Sequence, residues 1–202
     1  MTKVTLIGDS ITEYMPYMID KTMKRGFNVP MVSSKLPVSD IVFYICGVSN
    51  IGIGTYHNYV WPKVASEETE CFVLLIGINN LLRPDCDYDG KESLDDTFEK
   101  MKLFIQDIIK SEKDLIVQLL YPTDKIAINK MVIKMNEKIK KYCEENYIDF
   151  LDLYNLLCDN NNKLNSEYTI DGLHLNENGY KIIIDEISKK INEKRKTNII
   201  HK

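Results

Sequence analysis

No stretch of this 202-residue sequence approaches the roughly 20 consecutive apolar residues that a membrane-spanning helix requires. Nor does the N-terminus carry the apolar segment of about 7–15 residues that marks a secretory signal. After Met1 and Thr2 the chain runs into "KVTLIG", which is too short for one, so a cytoplasmic setting is expected. Excess positive charge is missing as well. The 26 Lys and Arg stand against 30 Asp and Glu, a formal net charge of -4, which leaves no electrostatic case for nucleic acid. The five cysteines (Cys46, Cys71, Cys86, Cys143 and Cys158) are an odd number without a CxxC pair, so no disulfide framework or zinc signature is present. Reduced, mostly buried thiols are expected. Low-complexity tracts, internal repeats and linkers are also absent, and residues 1–202 read as a single domain.

What is present is alternation. Hydrophobic residues make up 44% and charged residues 28%, a globular composition. Short apolar runs, "KVTLIG" (3–8), "IVFYICG" (41–47), "CFVLLIG" (71–77), "LIVQLLY" (115–121) and "YIDFLDL" (147–153), are strand candidates. Most are apolar nearly throughout, the pattern of strands covered on both faces. Between them apolar residues step by three or four: Leu94, Phe98, Met101, Ile105 and Ile108; Ile128, Met131, Met135, Ile139 and Tyr142; Tyr180, Ile183, Ile187 and Ile191. A further helix is expected over 11–25. Strand alternating with helix predicts an α/β fold in which a five-stranded parallel sheet lies between helix layers. Crossovers of one hand then bring the strand carboxyl ends to one edge, where such sheets bind ligands.

Ser10 follows the first strand, Gly47 the second, and "GINN" (77–80) the third, so these loops share that edge. A nucleophilic serine needs a base, and there are only three histidines. His201 is penultimate. His57 lies in "GTYHNYVW", read as a loop with no carboxylate close in sequence. His174 lies in "YTIDGLHLNENGY", three residues after Asp171. An aspartate at that spacing can accept a hydrogen bond from one imidazole nitrogen, leaving the other to take a proton from serine. Equally, it can simply cap the local turn. Asn79, at a strand exit, can present its amide to a developing oxyanion, with the Ser10 and Gly47 N–H groups completing the hole. Ser10 also opens the first helix, whose free N–H groups favour negative charge. Each feature alone is served as well by turn chemistry. Together on one edge they point to acyl transfer.

The ordered set "GDSIT", a glycine after the second strand, "GINN" and "DGLH" before the last helix resembles the SGNH (GDSL-type) hydrolase superfamily, over essentially the whole chain. The resemblance implies a flavodoxin-like three-layer α/β/α fold and ester hydrolysis through an acyl-enzyme, with Ser10 as nucleophile, His174 as general base and acid, and Asp171 as its orienter. It implies an oxyanion hole of Ser10 N–H, Gly47 N–H and the Asn79 side chain, and no metal or organic cofactor. The sequence departs from the family pattern at four places. Ile45 and Asn50 stand where Asn and Gly are usual, Asn80 where Asp is usual, and Leu175 where Pro is common.

Rival readings are weaker. Ser49 in "GVSNI" resembles a nucleophile elbow, but Ile51 occupies the second glycine's place. Gly47, Gly52 and Gly54 match neither glycine-rich phosphate-loop spacing. Asp9 lacks neighbouring carboxylates for phosphoacceptor chemistry and is expected to hold the Ser10 turn. A non-catalytic binding module would have no need for Ser10, Asn79, Asp171 and His174 together. The expected partner is a small-molecule ester: a short acyl or acetyl ester of a carbohydrate first, with lysophospholipase or thioesterase chemistry as the alternative. Tyr14, Met15, Tyr17, Tyr56, Tyr59, Trp61, Leu81, Leu82 and Tyr121 lie in or beside the edge loops, as acyl- or sugar-contacting candidates or as core. A neutral to mildly alkaline optimum is expected.

Overall fold

The apolar runs become strands wherever a neighbouring strand satisfies their backbone. The computed structural model describes residues 1–20, 34–87 and 91–200. The elements are β1 (Thr2–Gly8), α1 (Ser10–Ile19), β2 (Ser34–Val38), β3 (Ile41–Gly47), α2 (Ile53–Tyr59), α3 (Trp61–Val64), β4 (Cys71–Leu75), α4 (Ile78–Leu82), α5 (Leu94–Ile109), β5 (Asp114–Gln118), α6 (Ile126–Glu145), β6 (Asp149–Leu151), α7 (Tyr154–Leu157), a 3₁₀ turn at Ser166–Tyr168, and α8 (Glu177–Ile200). The sheet order is β2-β3-β1-β4-β5-β6. All pairs are parallel except β2 with β3.

The sheet therefore has six strands and not five. The extra one, "SKLPV", runs antiparallel to β3 with Ser34 opposite Ile45 and Val38 opposite Ile41. Lys35 and Pro37 interrupt its apolar pattern, and Pro37 cannot donate to a ladder. Both are tolerated because the strand lies at the sheet edge. β4, β5 and β6 are shorter than their apolar runs, whereas β1 and β3 fill theirs. Leu119, Leu120 and Tyr121 stay buried after β5 ends, and Ile76 after β4, so hydrophobicity outlasts the ladder.

Central β4 is buried at every residue, as expected of a strand covered on both faces. α1 packs with the C-terminal α8 on one face, and α2, α3, α5 and α6 pack with one another on the other. α8 seals its face with Tyr180, Ile183, Ile187 and Ile191, each at most 3% exposed. α5 opens with a capping box between Ser93 and Asp96 and buries Met101, Phe104, Ile105 and Ile108. α1 ends at Ile19, with its C-cap at Asp20; positions 21–25 of the expected helix lie outside the described residues.

Gly8, Gly47, Leu75, Gln118 and Leu151 form the carboxyl edge. From β1 the chain moves one way to β3, and after β4 it moves the other way. The switch in direction falls between β1 and β4, where open sheets of this kind bind ligands. Ser10 and Asn79 flank it. Among the described residues no helix is long and apolar enough to cross a membrane, and no cluster of His, Cys, Asp and Glu could hold a metal ion. Cys46, Cys71, Cys86 and Cys143 are buried free thiols and Cys158 is half-buried; burial pushes the Cys46, Cys71 and Cys143 thiols up to about 12.

Candidate active site

β1 delivers Asp9 and Ser10 into the switch point. Asp9 is the N-cap of α1, its Oδ1 accepting the Ile11 N–H at 3.0 Å. It is fully buried, and that burial pushes its carboxyl up to about 7 against the pull of nearby backbone N–H groups. Ser10 is the first residue of α1, where a backbone N–H has no acceptor within the helix. Its Oγ lies 2.9 Å from His174 Nε2, across 164 residues of sequence.

The His174 loop is built by local hydrogen bonds. Thr169 Oγ1 donates to the His174 carbonyl at 2.7 Å and accepts the Gly172 N–H at 2.9 Å. Gly172 takes φ +84°, which a side chain would strain, and its carbonyl accepts the Asp124 N–H at 2.7 Å. Asp171 fulfils both readings of its spacing, one on each oxygen. Oδ1 caps the turn, accepting the Leu173 and His174 N–H groups at 3.0 and 2.7 Å, and Oδ2 lies 2.7 Å from His174 Nδ1. A carboxylate only accepts, so Nδ1 carries the hydrogen and Nε2 is left as the acceptor for the Ser10 hydroxyl. Burial works to raise the Asp171 carboxyl, but its bonds from His174 and Leu173 hold it below the ordinary carboxylate value. The Tyr14 ring lies against the imidazole, centroids 4.8 Å apart at 41°.

On the opposite flank, α4 carries Asn79, 6% exposed. One amide hydrogen goes to the Ile51 carbonyl at 2.9 Å, which leaves a second for another acceptor. Asn80, its neighbour, accepts the Ile53 N–H at 3.0 Å and donates to Asp87 at 2.8 Å and Glu92 at 3.1 Å. The other departures also find local reasons. Asn50 sits at φ +65°, a conformation that glycine holds freely and asparagine tolerates. Ile45 is buried in β3, and Leu175 is wholly buried beside the His174 loop.

Gly47 needs a correction. A Cβ there would sit 2.1 Å from the Glu13 backbone nitrogen, so the glycine is demanded by the close approach of α1. Val48 N–H donates to the Gly8 carbonyl at 3.0 Å, and alternation along β3 turns the Gly47 N–H to the other side, away from β1 and Ser10. Gly47 thus serves packing, and Ser10 and Asn79 remain as the candidate donors to an oxyanion.

Two other sequence candidates, Ser49 and His57, face other partners. Ser49 Oγ donates to Glu13 Oε2. His57 is in α2 and not in a loop, and its Nε2 meets Asp107 Oδ2 at 2.7 Å on α5. His201 lies outside the described residues. Most of the edge aromatics are core: Tyr56 and Trp61 pack on Phe104, and Met15, Leu81 and Tyr121 are buried. Of that group, Tyr14 lies against the His174 imidazole. Thr169 and the partners of Asn80 escaped the sequence reading. "TIDG" is a turn signature that points to Thr169, whereas nothing local links Asn80 to Asp87 and Glu92.

The sequence matches the model of the GDSL-like Lipase/Acylhydrolase family over residues 6–182. It is 25% identical over 192 residues to the N-acylneuraminate cytidylyltransferase of Escherichia coli O18:K1:H7 (strain RS218 / NMEC), a match that takes 94% of this chain but 40% of that protein. The chain thus spans less than half the length of that curated relative. In fold it is similar to a GDSL-like lipase of Bacteroides thetaiotaomicron VPI-5482, with TM-score 0.75, 19% identity, and 95% and 88% of the two chains covered. It is similar also to an acetylxylan esterase of Geobacillus stearothermophilus, with TM-score 0.70, 15% identity and 94% of each chain covered. The match over residues 6–182 spans the serine, the asparagine and the Asp–His turn alike: the chain belongs to the GDSL-like lipase/acylhydrolase family.

Proposed function

We propose that the enzyme cleaves short acyl esters, acetyl esters of carbohydrates above all, through an acyl-enzyme on Ser10. The observation that carries this reading is the unbroken series Ser10–His174–Asp171, at 2.9 and 2.7 Å. His174 Nε2 takes the Ser10 proton as Oγ attacks the ester carbonyl, and Asp171 steadies the imidazolium that forms. The Ser10 N–H and the second amide hydrogen of Asn79 stabilise the tetrahedral oxyanion. His174 then protonates the departing alcohol, and water repeats the cycle to release the acid.

The carbohydrate half rests on what the similar proteins are named for. Two acetyl xylan esterases share the fold, and the cytidylyltransferase that shares sequence is named for an acylated sugar. Hydrolysis of p-nitrophenyl esters from acetate to octanoate, with wild type beside Ser10→Ala, tests both halves. Turnover highest on acetate and lost in the variant is the expected result. Turnover surviving in Ser10→Ala overturns the nucleophile, and a maximum at octanoate replaces the sugar acetate with a lysophospholipid or thioester substrate. Fluorophosphonate labelling of Ser10 separates an activated serine from a non-catalytic binding module.

A further inference from the structure

α4 is a five-residue helix, too short to fix the direction of Asn79 by its own hydrogen bonds. Something else must aim that amide. The residues around Asn80 form a buried charged cluster: the side chains of Asp87, Glu92 and Lys100 are 2%, 6% and 21% exposed. Lys100 Nζ lies 3.3 Å from Asp87 Oδ2 and 2.6 Å from Glu92 Oε1. Asp87 also accepts the Gly54 and Thr55 N–H groups at 3.0 and 2.8 Å, which caps α2. The segment 50–55 is thereby pinned to α4 and to the residues that follow it, as far as Asp87. Asn50 O accepts from Arg83, Ile51 O from Asn79, Ile53 N–H goes to Asn80, and the next two N–H groups go to Asp87.

We propose that Asn80, held by Asp87, Glu92 and Lys100, is a positioning residue that fixes the Asn79 amide toward the oxyanion; this rests on the acyl-enzyme reading above. The chemistry requires an amide at position 80. The side chain must accept one N–H and donate to two carboxylates, which neither Asp nor Leu can do. A carboxylate there would face Asp87 and Glu92 where the amide now donates at 2.8 and 3.1 Å. Like charges that close, largely out of water, exclude one another unless one holds a proton.

The test is Asn80→Asp with p-nitrophenyl acetate. The groups facing position 80 are Asp87, Glu92 and Lys100, with the Cys86 thiol close to those carboxylates and to Arg83. At about pH 8, kcat is expected to fall roughly 10–100-fold with KM within about twofold, as for a misplaced catalytic group. The deficit shrinks as pH is lowered, because protonation of the cluster restores a donor. Glu92→Gln added to Asn80→Asp supplies a donor from the other side and recovers most of kcat; this pairing also serves if Asn80→Asp alone fails to fold. In an Asn79→Ala background, Asn80→Asp lowers kcat no further. Unchanged kcat in Asn80→Asp, a loss fully additive with Asn79→Ala, or no recovery with Glu92→Gln overturns the positioning role. If Asn79→Ala itself leaves kcat intact, the oxyanion reading falls, and this one with it. A loss in Asn79→Ala with none in Asn80→Asp removes this one alone.

Discussion

Among the described residues two histidine–carboxylate pairs of equal length stand apart, one in the loop at the carboxyl edge of the sheet and one between α2 and α5. His174 meets Asp171 through Nδ1 at 2.7 Å, and His57 meets Asp107 through Nε2 at 2.7 Å. In both, the carboxyl group is held below its ordinary value: Asp171 by bonds from His174 and Leu173 that outweigh burial, Asp107 by Lys110 and His57. The difference lies in what meets the rest of the ring. His174 turns its other nitrogen to a serine hydroxyl at the N-terminus of a helix. His57 lays its ring on Phe104, centroids 4.9 Å apart and 22° from parallel, and its carboxylate is shared with Lys110. A close His–Asp contact is therefore not a catalytic feature in itself. In the proposed mechanism the chemistry resides in the second ring nitrogen and in the serine that faces it.

The sharpest way to break this comparison is to remove each imidazole. His174→Ala is expected to lower kcat on p-nitrophenyl acetate by about 10³-fold or more, whereas His57→Ala stays within about twofold. A folded His57→Ala protein that had lost hydrolysis would reverse the assignment. Asp171→Asn is the next step down. The amide can still cap the turn through its oxygen, but its NH₂ cannot accept from Nδ1, so the wrong tautomer is favoured. A loss of about 10²–10⁴-fold in kcat with little change in Tm is expected, while Asp107→Asn leaves kcat alone. Asn79→Ala removes one oxyanion donor and should cost about 10²–10³-fold, read as a fall in kcat at near-constant KM.

The two pairs also show what a sequence can and cannot reveal. Asp171 lies three residues from His174, within a turn that local spacing describes, and Ser10 and Asn79 stand directly at strand exits. Chemistry arranged by short segments at the ends of apolar runs is legible without coordinates. Asp107 reaches His57 across 50 residues, so the absence of a nearby carboxylate in sequence was no reason to set His57 aside; the absence of a serine is. The partners of Asn80 and the packing role of Gly47 were hidden for the same reason, since both depend on helix placement. In the fold, the central strands and the stripes of α5 and α8 follow from burial on one or both faces. β2 did not, because an edge strand is freed from the apolar pattern that betrays the others.

Asp9 offers the smallest effect and the finest contrast. Unlike Asp171 and Asp107, it has no cationic or imidazole partner beside it, and burial carries its carboxyl up from 3.8 to about 7. The sign follows from proton counting. Between those values the folded chain holds a proton that the unfolded chain has released, so stability is full below about pH 4 and declines as pH rises to about 7. Asp171 and Asp107 act oppositely: their contribution is present above the unfolded carboxylate value and is lost in acid. A comparison of pH 5 with pH 8 therefore isolates Asp9. Asn at position 9 can still accept the Ile11 N–H but cannot ionise, so its cost is independent of pH. Wild type should lose Tm relative to Asp9→Asn between those pH values, on the order of 5 °C, with every histidine common to both chains. Parallel melting curves at the two pH values would show that Asp9 is already ionised under Ser10, and that the helix N-terminus supports a buried charge there unaided.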